Sequence, residues 1–155
     1  MILKNWKSMS FPPVPENLKN KLLLVSNVIL NQKELNLFYL AITWLSEQIK
    51  NDNVEYDFLT RVTCIFTDTN EPTIVFDEDN TIGVYSPMIF YRINICRERN
   101  YNDILMLGIY LEELCHCYYH YEEEVLVKHK VIEILSSHIQ DFQPTDLYTE
   151  DVLRV

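Results

Sequence analysis

Residues 112–120 read EELCHCYYH, and Glu112, Glu113, His116 and His120 within them carry side chains able to bind a metal ion or move a proton. At 3.6 residues per turn these four share roughly 100° of helical arc, so they can converge. Carboxylates beside imidazoles suit two chemistries: ligation of a divalent ion, and general acid–base catalysis on a bound water. The stretch that must hold them is 102–121, NDILMLGIYLEELCHCYYHY. On its opposite side Ile104, Leu107, Leu111, Leu114, Cys115 and Tyr118 form a continuous apolar stripe at helical spacing. Leu105 and Ile109 lie on the polar arc one to two turns earlier, so the helix starts apolar all round. That pattern places the helix in the interior and the polar cluster in a cleft.

The rest of the chain reads as support for this helix. SFPPVP at 10–15 closes an extended lead-in, because proline fixes φ and biases the residue before it away from helix. Residues 16–30 suit a helix, although KLLLVSNVIL also reads as a strand. Over 33–50 Leu37, Phe38, Ala41, Trp44, Leu45 and Ile49 repeat at helical spacing, and Asn51, Asp52 and Asn53 stop the helix. The period then shortens. Residues 60–67 and 73–77 read as a hairpin about the turn TNEP at 69–72, DEDN at 77–80 is a second turn, and 81–85 and 88–96 continue as strands. Pro87 between the last two favours an edge strand or a bulge there. Asn102 or Asp103 caps the central helix. A last helix at 123–139 carries Val125, Val131, Ile132, Leu135 and Ile139 on its core face, and an acidic, irregular tail follows at 141–155. The expectation is one α+β domain over 1–155: N-terminal helices, a small mostly antiparallel sheet, a buried central helix and a C-terminal helix.

Composition narrows the function classes. The chain has 155 residues, 48% of them hydrophobic, enough for a core of ordinary size. Its formal net charge of −10 argues against gripping a nucleic-acid backbone, which needs clustered Lys and Arg. Ala41 is the only alanine, Gly83 and Gly108 are the only glycines, and Asn, Ile, Lys, Leu and Tyr are plentiful. That bias points to an AT-rich genome of the kind carried by low-GC bacteria and their phages. Cys64, Cys96, Cys115 and Cys117 form no CxxC pair and read as free thiols of a reducing compartment. The apolar run beginning at Leu22 is interrupted by Ser26 and Asn27, too short for a leader or a membrane span. A cytoplasmic location without membrane contact is the resulting expectation.

The segment EELCH at 112–116 resembles the HExxH motif of zincin-type metallopeptidases, with its first His replaced by Glu112. In that motif two histidines on one helical face bind zinc and the intervening Glu polarises the attacking water. The resemblance implies His116 as the second metal ligand, Glu113 as general base and Glu112 as a substituted first ligand. It extends to the order of elements from about residue 60 to 139, since zincins place a sheet with a substrate-holding edge strand before the motif helix. Residues 88–96 take that place, with Met88, Phe90 and Arg92 as the substrate-binding positions. Helical geometry supplies a third ligand: Glu124 falls within the apolar stripe of the last helix, and a carboxylate aimed at a core needs a partner, either a metal or Lys128 four residues on. Zinc accepts carboxylate oxygen. A set of Glu112, His116 and Glu124 nevertheless carries two negative charges where two histidines and one Glu carry one. The more neutralised metal is a poorer Lewis acid, which predicts a weakened enzyme or none.

Plainer readings stand beside this one. Glu112 and Glu113 also suit the polar face of a half-buried helix, His120 suits a helix end, Cys115 serves as a small hydrophobe, and Tyr118, Tyr119 and Tyr121 suit packing or an interface. Hydrolysis by a cysteine with His as base is disfavoured, because neighbours one apart on a helix do not face each other. Glu113 and His116 form one ExxH step, but a di-iron bundle needs a second, and none exists. Two functions follow: a zincin-like protein, weakly active or inactive, that acts by binding a protein or peptide partner, or an active zinc-dependent peptidase with Glu113 as base.

Overall fold

A computed structural model describes residues 9–68 and 87–152 in full and the backbone of Ile2–Leu3 and Ile74–Val75. The fold is α+β, with four α-helices and a small three-stranded parallel sheet among the described residues. The strands are β1 (Ile2–Leu3), β2 (Leu22–Ser26), β3 (Val62–Thr67), β4 (Ile74–Val75) and β5 (Met88–Arg92). The helices are α1 (Gln32–Asn51), α2 (Ile93–Glu98), α3 (Asp103–Tyr119) and α4 (Glu124–His138). No helix among the described residues is long and apolar enough to cross a membrane.

The α+β class holds, but the strand directions differ from the expected antiparallel meander. The sheet runs β2-β3-β5 with both pairings parallel. The cause lies in KLLLVSNVIL: past a single 3-10 turn at Glu16–Leu18 it forms β2, not a helix. With β2 as a strand, α1 becomes the crossover of a β-α-β unit, and such a crossover returns the next strand parallel. The expected hairpin of 60–67 with 73–77 does not form, because β3 has β2 on one side and β5 on the other. Ile74–Val75 pairs instead with Ile2–Leu3, antiparallel. The turns expected at 69–72 and 77–80 and the strand at 81–85 lie outside the described residues. The strand expected over 88–96 ends at Arg92, where the chain enters α2.

The helical boundaries follow their caps. Asn31 accepts from the Glu34 N–H at 2.9 Å while the Glu34 carboxylate accepts from the Asn31 N–H at 2.8 Å, a reciprocal capping box that starts α1. The Asn102 side chain accepts from the Leu105 N–H at 2.9 Å and starts α3. In a chain so poor in glycine, Asn20, Asn53, Asn100, His120 and Asp141 take the left-handed backbone positions that close its turns.

One face of the sheet meets the helices. Register puts Ser26, Phe66 and Tyr91 in one row and Leu24, Cys64 and Ile89 in the next on that face, with Met88, Phe90 and Arg92 on the other. Phe38 of α1, Phe66, Tyr91 and Tyr110 of α3 form an aromatic cluster: the Phe38 and Phe66 centroids are 4.9 Å apart at 90°, and those of Tyr91 and Tyr110 are 5.0 Å apart at 87°. The Tyr91 hydroxyl donates to the Tyr110 carbonyl at 2.9 Å, which pins β5 to α3. On α3 Met106, Leu107, Gly108, Tyr110, Leu111, Leu114, Cys115 and Tyr118 are buried, as a helix packed against α1, α4 and β5 requires. The segment after α4 docks as well: Phe142 and Tyr148 are buried, and Leu147 lies over Gly108, where an added Cβ would overlap its δ-methyls. The close approach of Leu147 needs the missing side chain.

Candidate functional site

The second half of α3 divides its polar residues between two sides. His116 is held by both ring nitrogens. Its Nδ1 lies 2.8 Å from the Tyr121 carbonyl and its Nε2 lies 3.3 Å from Glu124 Oε1. A carbonyl can only accept, so Nδ1 carries a proton, and Nε2 faces the Glu124 carboxylate. A backbone carbonyl orients metal-ligating histidines in this same way. His116 and Glu124 are therefore brought together as the sequence implied.

Glu124 is not aimed into the core. Its side chain is 65% exposed, because it stands in the first turn of α4, ahead of the buried Val127, Val131, Ile134 and Leu135. The buried face of α4 is centred on those four residues, so the expected stripe keeps Val131 and Leu135 while Val125, Ile132 and Ile139 are only half-buried. The second Glu124 oxygen lies 3.7 Å from Lys128 Nζ, whose side chain is 19% exposed. The ammonium is thus within reach of Glu124, as the i, i+4 spacing expects.

Glu112 is half-buried on the same side. Burial pushes its carboxyl above the usual carboxylate range; Tyr148 and Lys128 pull it back in part, and the charges of Glu113 and Glu124 push it further up. The Tyr148 hydroxyl is buried without a well-formed hydrogen bond although it sits close enough to act on Glu112. Zinc in a catalytic site takes three protein ligands. Among the described residues no three His, Cys, Asp or Glu side chains are placed to hold one ion. The cluster offers the His116–Glu124 pair, with an ammonium beside its second oxygen and Glu112 set against Tyr148 and Lys128.

Glu113 turns to the other side of α3. It is exposed and lines a groove of about 210 Å³ with Ile109 of α3, Phe90, Tyr91 and Arg92 of β5, and Ile95 of α2. Two of the three expected substrate positions, Phe90 and Arg92, thus share a groove with the expected base. Met88 is exposed at the start of the same strand face. Among the described residues β5 pairs with β3 alone, so it is an edge strand as expected. His120 leaves the cluster: in the left-handed C-cap position of α3 it points Nε2 at the Phe58 carbonyl, 3.1 Å away. None of the cysteines is disulfide-bonded. Burial raises all four thiols above their ordinary range, which disfavours the nucleophilic thiolate.

Sequence reasoning missed Tyr148 and the Tyr91–Tyr110 pin. Gly108 was the available signal for the first, since a glycine inside a helix marks a close approach. The second had no local signal. A polar network beside the cluster also went unseen: Asp52 at the end of α1 accepts from Tyr119 at 2.7 Å and from Lys130 at 3.0 Å, and Lys130 also donates to Glu133 at 2.6 Å. These bonds join the ends of α1 and α3 to the middle of α4, which ties together the helices from which His116 and Glu124 project. No family model matches this sequence, and neither a curated protein nor a solved structure is significantly similar to it.

Proposed function

We propose that the chain is a zincin-like protein without catalysis that binds an extended segment of a protein partner along β5. The observation that carries this reading is the groove between β5 and α3. β5 is the edge of the sheet among the described residues, and a peptide strand added along an edge gains main-chain hydrogen bonds. The groove walls supply selectivity: Phe90 and Ile109 are apolar, and Glu113 is a carboxylate suited to a basic side chain. The net charge of −10 favours the same kind of partner, because it steers basic segments toward the surface. An origin in a phage or another mobile element is part of this reading and rests on composition alone.

Peptides selected from a random library against the full chain test it. Binding to Phe90→Asp should be weaker by about tenfold or more, the scale of a lost apolar anchor, and bound peptide should slow amide exchange across 88–92. Peptides that bind Phe90→Asp as tightly and leave those amides unprotected would refute the proposal. The second reading, an active peptidase, is favoured by His116 Nε2 and Glu124 Oε1 standing 3.3 Å apart with Nδ1 held by the Tyr121 carbonyl. Zinc-dependent cleavage of a peptide library, lost by two to four orders of magnitude, roughly, in a Glu113→Gln protein that folds normally, would establish it.

A further inference from the structure

The charge balance of the α3–α4 cluster carries one step more. Glu112 and Glu124 bring two carboxyl groups to one side of α3, and His116 faces Glu124 through Nε2. Lys128 is the cation among them, with Nζ 3.7 Å from Glu124 Oε2 and its side chain mostly withdrawn from solvent. We infer that Lys128 is the resident cation of this cluster, standing where a bound divalent ion would supply charge, so that the cluster excludes metal until the ammonium is removed.

The reasoning is geometric and electrostatic. A zinc ion bound to His116 Nε2 and a Glu124 oxygen would lie about 2.0–2.2 Å from each. That leaves it within a few ångströms of an ammonium already paired with the same carboxylate, and like charges so close oppose binding strongly. Lys128 also satisfies the demand that draws a metal in, because the carboxylates are already neutralised in part. The second influence of Lys128, on the more buried Glu112, has the same sign. One turn of α4 separates Glu124 from Lys128, so the pair is set by i, i+4 helical spacing and does not depend on a loop. The inference rests on reading this cluster as non-catalytic and is independent of what binds along β5.

The test uses the untagged full chain as wild type, Lys128→Met, Lys128→Arg and the double variant Lys128→Met with His116→Ala. Cobalt(II) is the probe, read by visible absorption, with zinc(II) measured by titration calorimetry. Met keeps the aliphatic packing of the lysine stem. Lys128→Met should bind either ion about tenfold or more tightly than wild type, the scale of a removed close like charge. Lys128→Arg should behave as wild type, and the double variant should lose the gain. If Lys128→Met does not melt cooperatively, Lys128→Gln takes its place with the same expectations. Wild type that binds zinc as tightly as the charge-removed variant, or a folded variant with no gain, overturns the inference. Zinc bound by wild type without peptide cleavage defeats this inference alone; zinc-dependent cleavage defeats the proposed function as well.

Discussion

Arg97→Met is the most exacting test of how the groove is held. Arg97 follows β5 by five residues and clamps Glu34 in the first turn of α1: Nε to Oε1 and Nη2 to Oε2 are both 2.7 Å, and Nη2 reaches the Ile29 carbonyl at 2.8 Å. The Glu34 side chain is 8% exposed and that of Arg97 is 42% exposed. Removing one partner of a fully buried pair costs about 3–5 kcal/mol, whereas exposed pairs are worth about 0.2–1 kcal/mol. Glu34 is on the buried side of that range and keeps its bond from the Asn31 N–H, so we expect a loss of about 2–3 kcal/mol. For a chain of this length that lowers the melting temperature by about 4–12 °C. The pH dependence has a defined sign. Burial alone would raise the Glu34 carboxyl, but the bonds from Arg97 and from the Asn31 backbone outweigh it and leave it below its ordinary value. A depressed carboxyl contributes stability that is present above its unfolded value of 4.5 and is lost as pH falls through the folded value. Arg97→Met should therefore lose stability at neutral pH and show a shallower decline on acidification than wild type. Chemical denaturation in urea from neutral pH down to the acid limb measures both. A variant within about 2 °C of wild type, or with the same acid limb, would refute the reasoning.

Three further outcomes follow from the packing. Leu111→Asp places a charge at a fully buried position of α3 and should abolish cooperative folding, read by the loss of a thermal transition. Tyr119→Phe removes one hydrogen bond to the Asp52 carboxylate, which keeps those from Gln48 and Lys130, so the loss in urea should be about 1–2 kcal/mol. Gly108→Leu should leave α3 helical and push Leu147 off it, so that amides of residues 142–150 exchange faster while the melting of the core changes little.

How far the sequence was legible depends on the range of the forces involved. Periodicity located α1 and α3 to within a residue or two, because their apolar stripes face a core that any fold of this chain must build. It located α4 but rotated its buried face, since Glu124 and Lys128 were read against a stripe that α3 and α1 set from outside. The direction of the strands escaped it. KLLLVSNVIL carries equal signals for helix and strand, and only pairing with Val62–Thr67 decides between them. Once that one element changes type, the topology changes from a meander to a crossover.

The site divides along the same line. Glu112, Glu113 and His116 stand on α3 at positions fixed by local geometry, yet which side each serves depends on neighbours far away in sequence. Glu113 lines the groove with Tyr91 and Ile109, whereas Glu112 lies on the opposite side under the influence of Tyr148 and Lys128. The motif's usual logic needs its acid and its ligands around one ion, whereas here a wall of the helix separates Glu113 from the pair of His116 and Glu124. Glu112 adds negative charge on the side of His116 and Glu124, and the lysine one turn after Glu124 brings a positive one. Glu112, Glu124 and Lys128 thus bring charges of both signs to one side of α3, away from Glu113. On the other side of the helix Glu113 lines the groove along β5, the edge strand among the described residues.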